Sequence, residues 1–329
     1  MRCPVCGSVD GLRESVVTDL LLGTTKKLFQ LIRCSACTAR YLDPQPSPDE
    51  LMSYYPNGYW GQAATSSSPL GLRWIYRLEQ WYKYLVLTDH VRFVMKRVRR
   101  SRTSEKPTTL LDVGCGSGAF LDRCRRKGFT VRGMDASRKA AQQAAQAYGI
   151  DVIVGSIDAA DRVAGAPYDV ITMFHVLEHL CDPVGVLQKI AGALTPLGDL
   201  IVQVPNGDSL QARGFDTKWY GLDPPRHLVN FNLGSMRMAL ARAGFAVQAV
   251  RHFSLRDNAP ALVSSFFPNL DPLARAVRGA QSRPDMAYKR LLLEAIYFIM
   301  VLAAQPAVLL ESWLQRGATL MVHAKKESR

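Results

Sequence analysis

From Thr109 onward, short apolar runs alternate with stretches of helical spacing. The runs LLDVG from Leu110, VRGMD ending at Asp135, VIVG from Val152, YDVITM from Tyr168 and DLIVQVP ending at Pro205 are almost continuously apolar. That marks strands covered on both faces. Between them, Gly118 to Lys127 and Arg138 to Tyr148 read as helices. The alternation predicts an α/β domain built on a doubly wound parallel sheet, with ligands at the carboxyl ends of its strands. Ahead of it the pattern is different. Residues 1–60 read as a small module with paired cysteines around a β-like stretch from Lys27 to Arg33, and a Gly/Ser-rich linker runs from Gly61 to Gly71. A helix from Leu72 to about Arg100 then mixes Trp74, Tyr76, Trp81, Tyr82 and Tyr84 with Arg97, Arg99 and Arg100. The domain proper is expected over 107–329.

Composition narrows the class. With 48% hydrophobic and 21% charged residues among 329, the chain is neither disordered, collagenous nor a simple coiled coil. The net charge, 41 − 28 = +13, raises nucleic acid, anionic lipid and phosphorylated substrates as partners. The excess flanks the nucleotide-type fold: residues 110–250 carry 14 basic and 13 acidic side chains, while 1–109 carry 16 and 9. Seven cysteines, four of them in two pairs, do not suit a secreted disulfide framework, and MRCPVCGSVD holds no apolar run of signal-peptide type. A cytoplasmic location is therefore expected.

Cys3-Pro-Val-Cys6 and Cys34-Ser-Ala-Cys37 are two C-x2-C knuckles. The two-residue spacer lets both thiolates of a knuckle face one tetrahedral cation, and four thiolates suit a structural zinc in a segment too small to hold a core.

The run Leu110 to Leu121 is an apolar strand leading through Asp112, Gly114, Cys115, Gly116 and Gly118 into a helix. Glycines there permit tight turning and close backbone approach to a ligand. Asp112 would repel a pyrophosphate and attract a cationic amino-acid end, and Asp135 closes the next strand, where a carboxylate can accept both ribose hydroxyls. On these residues the sequence resembles the class I methyltransferases that use S-adenosylmethionine, whose first motif is this D-V-G-C-G-S-G run and whose second is the acidic residue at Asp135. FHVLEHLCDP from Phe174, VPN from Val204, WYGLDPPRHLVNF from Trp219 and AGF from Ala243 are similar to a subgroup with an N-terminal cysteine module. That subgroup methylates small molecules, notably nucleotide-linked deoxysugars and other hydroxyl- or carbonyl-bearing intermediates.

The resemblance implies a seven-stranded Rossmann-like sheet, with Phe245 to Phe253 and Ala318 to Lys325 as its paired final strands and 254–317 as a helical insertion. It also implies S-adenosylmethionine contacts from Asp112, Gly114, Cys115, Gly116, Gly118, Asp135, Ala136, Ser156, Ile157 and His175. An acceptor hydroxyl, or a carbon beside a carbonyl, must lose a proton. His227 is the first choice for base, followed by Tyr220 and His179. His175, Glu178 and His179 would share one turn, and His227 could complete a cation cluster with them. A His where a hard cation wants oxygen disfavours that reading, so Glu178 and His179 are expected to shape the loop over the cofactor.

The insertion is unusually apolar, with Ala295 to Leu310 free of charge. At 16 residues, interrupted by Gln305 and Pro306, this falls short of the roughly 20 needed to span a bilayer. A cap over the site, or a dimer surface, is favoured over a hairpin resting on an anionic membrane surface, to which Arg and Lys at 96, 97, 99, 100, 289 and 290 would be suited. The rival to a small-molecule acceptor is nucleic-acid binding or modification. The D/N-P-P-Y/F loop of base-modifying enzymes would follow the fourth strand, and that place reads FHVL.

Overall fold

The computed structural model describes residues 2–56, 73–98, 107–160, 163–278 and 287–327. The expected linker from Gly61 to Gly71, with Arg99 and Arg100, lies outside them. Three antiparallel strands open the chain: β1 (Gly11–Val17), β2 (Phe29–Cys34) and β3 (Arg40–Asp43), followed by α1 (Pro48–Ser53). The basic-aromatic helix is α2 (Arg73–Val98). Then come β4 (Thr108–Val113), α3 (Ala119–Arg125), β5 (Phe129–Asp135), α4 (Arg138–Tyr148), β6 (Val152–Val154), β7 (Tyr168–Phe174), α5 (Pro183–Ala193) and β8 (Leu194–Pro205). The remainder is α6 (Leu210–Phe215), β9 (Val229–Asn230), α7 (Leu233–Arg242), β10 (Phe245–Arg251), α8 (Asn258–Phe266), α9 (Pro272–Arg278), α10 (Ala287–Ala303), α11 (Gln305–Trp313) and β11 (Thr319–Lys326).

Seven strands form one sheet in the order β10-β11-β8-β7-β4-β5-β6. The five predicted strands pair in parallel, and β11 runs antiparallel between β8 and β10. The chain reverses its direction of winding at β4, whose neighbours are β5 and β7. The crevice beyond the carboxyl end of β4 is therefore where a ligand is expected.

Alternation of side chains along each strand decides which layer covers which face. Leu111, Val113, Ile171, Met173, Leu200 and Val202 join one core, with Cys3, Val5, Phe29 and Leu31 of the cysteine segment packed in it. Leu110, Val170, Ile201 and Met321 point the other way, against Val91 and Val94 of α2 and Leu121 of α3. The cysteine segment thus shares the main core. It is tied in further by β3, which pairs with β9 through Arg40 and Tyr41, and by Asn232, whose side-chain amide donates to Thr38 O and Oγ1 at 3.1 and 2.8 Å. The insertion has a small core of its own around Ala259, Val263, Tyr297, Val301 and Val308.

Candidate active site

A cavity of about 690 Å³ opens at the predicted crevice, lined by the glycine loop, the ends of β5 and β7, and segments from both ends of the chain. Gly114 has φ +76°, and a Cβ there would stand 2.4 Å from Val176 Cγ2. Gly116, φ +53°, has nothing within 4 Å of its would-be Cβ, so the loop presents bare backbone to open space. The Gly116 N–H donates to Asp135 Oδ2 at 2.8 Å and the Ser137 N–H to Asp135 Oδ1 at 2.8 Å. Each carboxylate oxygen keeps a further lone pair, which suits a pair of vicinal hydroxyls. Burial pushes the Asp135 carboxyl up, against those two backbone bonds.

Asp112 lies deeper, 3% exposed, and accepts a 2.6 Å hydrogen bond from Thr172 Oγ1. Burial, opposed by that bond, lifts its carboxyl to about 7. Ala136, Ser156 and Ile157 line the same cavity. Cys115 also touches it, but its thiol is tucked beneath β5: a Cβ on Gly133 would meet Cys115 Sγ at 2.6 Å. The side chain of Cys115 is thus a packing group under the loop.

Beyond β7 the chain turns sharply at His175, whose φ is +57°, into a 3-10 turn, Leu177–His179. His175 Nδ1 faces Glu178 Oε1 at 3.1 Å and its Nε2 faces Asp257 Oδ2 at 3.2 Å. Burial disfavours the imidazolium, but Asp257 and Glu178 outweigh it and raise His175 to about 9. His179 Nδ1 lies 2.9 Å from the Arg226 carbonyl oxygen and 2.9 Å from Tyr55 Oη. A carbonyl only accepts, so the His179 proton sits on Nδ1. Burial, then His227, lower His179 to about 4. His227 Nδ1 donates to Gly221 O at 2.9 Å, and the rings of His179 and His227 lie 4.7 Å apart. One ligand atom from each of Glu178, His179 and His227 falls within 4.8 Å of the others. Tyr220 lines the same wall, its backbone N–H anchored on Ser265 Oγ at 2.9 Å.

The loop carrying His227 is held by a fully buried Arg226, bidentate to Asp19 at 2.9 and 2.9 Å and bonded to both Asp223 oxygens at 2.5 and 3.0 Å. Sequence reasoning assigned Gly114, Gly116, Asp135, His175, His179, Tyr220 and His227 to the cofactor or the acceptor, and these line one cavity. Gly118, assigned with them, is not in its lining and packs against α4, where a Cβ would stand 2.9 Å from Ala144 Cβ. That reasoning missed Tyr55 from the cysteine segment, Thr172 beneath Asp112, and Arg256 and Asp257 from the insertion. None carries a local signal, because each is brought in by packing between distant segments.

The four expected cysteines come together with all sulfurs within 4.8 Å, including Cys3 to Cys37 at 3.5 Å and Cys6 to Cys34 at 3.4 Å. Sulfurs bound at about 2.3 Å around one tetrahedral zinc would stand about 3.8 Å apart. The donor set and spacing fit that ion. A hydrogen bond from Cys37 lowers the Cys3 thiol to about 5 while the Cys37 thiol is raised, as expected of thiols crowded around a shared proton.

The sequence model of a family described as a methyltransferase domain matches residues 77–250. Among curated proteins, the ubiquinone biosynthesis O-methyltransferase of Caulobacter vibrioides is 38% identical over 104 residues, 30% of this chain and 41% of that protein. The Aeromonas salmonicida protein of the same name is 31% identical over 102 residues, 30% and 43% of the two chains. The chain thus spans less than half the length of these relatives. Two solved structures are similar in outline. A S-adenosylmethionine dependent methyltransferase from Mesorhizobium loti is 18% identical, with 70% of this chain and 96% of that one covered and a TM-score of 0.44. The plantazolicin methyltransferase BpumL in complex with SAH is 14% identical, with 77% and 90% covered and a TM-score of 0.45. With the family match extending from α2 through nearly all of β10, across the glycine loop and the Asp135 carboxylate, the chain belongs to the methyltransferase domain family.

Proposed function

We propose that the protein methylates a small hydroxylated acceptor, a sugar or similar biosynthetic intermediate that is lipid-linked, using S-adenosylmethionine. The observation that carries this reading is a single cavity with two chemically distinct ends. One end, with Gly116 and Asp135, suits a nucleoside. The other, with Tyr220, His179 and His227, offers polar groups to an acceptor oxygen. When bound, the cofactor supplies a methyl carbon already activated by a cationic sulfur, so the protein has mainly to align the acceptor. Asp135 would hold the ribose hydroxyls, and Asp112, with His175 and Ser156 at the cavity edge, would surround the remaining polar groups. For an oxygen acceptor the C–S bond breaks as the new C–O bond forms, and the hydroxyl proton must leave at the His179–His227 wall. The curated relatives named as O-methyltransferases support oxygen as the receiving atom.

The insertion supports a lipid-linked acceptor. Its inner helix α8 contributes Pro260 and Ala261 to the cavity, so it caps the site. Its outer surface is different. The helical stretch Leu292–Trp313 has a mean hydropathy of 1.9 and would be long enough to cross a membrane. Every exposed position from Leu292 to Leu314 is apolar, including Ile296, Ile299, Leu309 and Trp313, the last 78% exposed. Because β10 and β11 flank the insertion in one sheet and α10 packs on α8 through Tyr297 and Ser264, the helices lie along a surface rather than span it. Residues 251–329 carry 11 basic and 6 acidic side chains, a sign suited to an anionic lipid surface. A structural zinc held by Cys3, Cys6, Cys34 and Cys37 completes the assignment, helping to fix the segment that delivers Tyr55.

The test is calorimetric titration of S-adenosylmethionine and S-adenosylhomocysteine into zinc-containing protein, beside Asp135→Ala, followed by turnover with sugar nucleotides and lipid-linked acceptors. Micromolar binding lost in the variant is expected. Folded wild type that binds neither, with or without acceptors, would overturn the reading. Less than one zinc per chain would remove the metal from it.

A further inference from the structure

A second cavity, of about 780 Å³, opens at the outer edge of the main sheet, and no residue lines both it and the cavity at the glycine loop. Helices α2 and α7 cover opposite faces of the sheet, and the cleft forms where both overhang the edge strand β10. Five cationic side chains line it: Arg92, Lys96 and Arg97 of α2, Arg237 of α7 and Arg251 of β10. Arg92 and Lys96 are four residues apart and so share one face of their helix. The one carboxylate in the lining, Asp89, is paired with Arg251. The other four cations have no carboxylate partner among the described residues. Charges of one sign gathered on a concave surface with low-dielectric walls focus their field into the cleft.

The guanidinium groups are oriented as well as gathered. Arg97 Cζ lies 5.2 Å from the centroid of the Phe93 ring, and Arg251 Cζ lies 5.8 Å from that ring and 5.4 Å from Phe253. Stacking of this kind fixes the plane of a guanidinium and leaves the N–H groups along its edge to a ligand. Arg97 Nε is buried and donates to no described group. A buried donor without an acceptor is unfavourable, and an oxyanion beside it would take the bond in its strong, charge-assisted form. We propose that this cleft binds a phosphate group, through Arg92, Lys96, Arg97 and Arg237. A carboxylate brings a single charge to four unpaired cations, whereas a phosphate monoester carries about 1.5 to 2 charges and three strong acceptor oxygens.

A soluble phosphate ester and a lipid headgroup share that chemistry. Trp313, 78% exposed, stands in the wall of the cleft and continues the apolar outer surface of α10 and α11. A headgroup held by the arginines would lay its acyl chains along that surface. The phosphate site does not rest on the methyl-transfer reading; only its lipid source rests on the reading of the insertion as lipid-facing.

The experiment is calorimetric titration of glycerol phosphate into zinc-containing protein at physiological ionic strength, without cofactor. One saturable site is expected, weakened about tenfold or more in Arg97→Gln/Arg237→Gln and severalfold in Arg237→Gln alone, an exposed position whose change spares the fold. Arg13→Gln/Lys26→Gln, which removes equal charge from exposed positions of the cysteine segment, should bind as wild type does. No saturable site, an affinity unchanged in both cleft variants, or an equal loss in the charge-matched control overturns the proposal. So does a single-stranded oligonucleotide that binds through Arg97 and Arg237 where glycerol phosphate does not saturate, which would make the cleft a nucleic-acid surface. Phosphatidylcholine vesicles containing phosphatidic acid distinguish the sources. Pelleting that is lost in the double cleft variant and competed by glycerol phosphate assigns the lipid; saturable glycerol phosphate binding without pelleting assigns the soluble ester, and the phosphate site stands in both cases. If glycerol phosphate binds as expected and S-adenosylhomocysteine does not bind, the cleft stands and the methyl-transfer reading falls; the reverse result removes the cleft and leaves methyl transfer intact.

Discussion

Replacing Arg226 with methionine keeps an unbranched apolar stem and removes the guanidinium with its charge, leaving Asp19 and Asp223 facing each other where the guanidinium stood. Arg226 is 0% exposed and makes four carboxylate contacts between 2.5 and 3.0 Å, two to each aspartate. Removing one partner of such a pair typically costs about 3–5 kcal/mol, because an uncompensated buried charge remains. With two carboxylates stranded, the upper part of that range is expected, a shift of at least about a hundredfold in the folding equilibrium. The pH dependence should carry the same signature. Burial opposes ionisation of Asp19, but Arg226 holds its carboxyl well below the usual range. Its folded pKa lies below its unfolded one, so the stabilisation is present above the unfolded value near 3.8 and is lost as pH falls toward the folded value. Urea unfolding of wild type, Arg226→Met and the double variant Asp19→Asn/Arg226→Met, at pH 7 and at about pH 3, below the unfolded value, with zinc content matched, measures both. The double variant should recover part of the loss. A single variant within about 1 kcal/mol of wild type at pH 7 would refute the claim that this arginine joins the cysteine segment to the His227 loop.

Gly116→Ala should destabilise by about 1–2 kcal/mol, because φ +53° disfavours a side chain, and weaken S-adenosylhomocysteine binding about tenfold or more, because its Cβ enters open cavity, whereas Gly114→Ala should destabilise the fold further, adding to the same backbone strain a 2.4 Å contact with Val176; thermal unfolding and calorimetry on both variants distinguish them. Burial raises the Asp112 carboxyl to about 7, so its stability contribution is fullest below the unfolded value and declines as pH rises through 7. A cationic ligand gains as Asp112 ionises: affinity for S-adenosylmethionine should rise from pH 6 to pH 8 in wild type and lose that slope in Asp112→Asn. Anionic liposomes should pellet the protein, less so at high salt, and Ile299→Glu/Trp313→Glu should abolish pelleting while leaving S-adenosylhomocysteine affinity intact; equal pelleting of the variant would reject the apolar face as the contact.

The strands, the glycine loop and the cysteine knuckles were legible in the sequence because each is a local device. Continuous apolar runs such as LLDVG report burial on both sheet faces, G-x-G-x-G reports backbone that must turn and stay bare, and C-x2-C reports two thiols turned toward the same point. His227 and Tyr220 were found through a longer motif, and Asp135 through its place at a strand end. What the sequence left open depends on distance along the chain. Tyr55 and His179 are 124 residues apart, Asp19 and Arg226 are 207 apart, and no period or spacing connects them. His175, three residues ahead of Glu178, reads locally as a fourth member of a cluster; the fold instead sets it against Asp257 of the insertion and leaves Glu178 Oε2 without a hydrogen-bond partner, in a group with His179 and His227. Hydrophobic pattern determined which residues enter the core. Only tertiary packing decided which polar groups meet inside it, because burial energy is set by each residue's own surface while a lone pair's partner is set by whatever the rest of the fold brings within 3 Å.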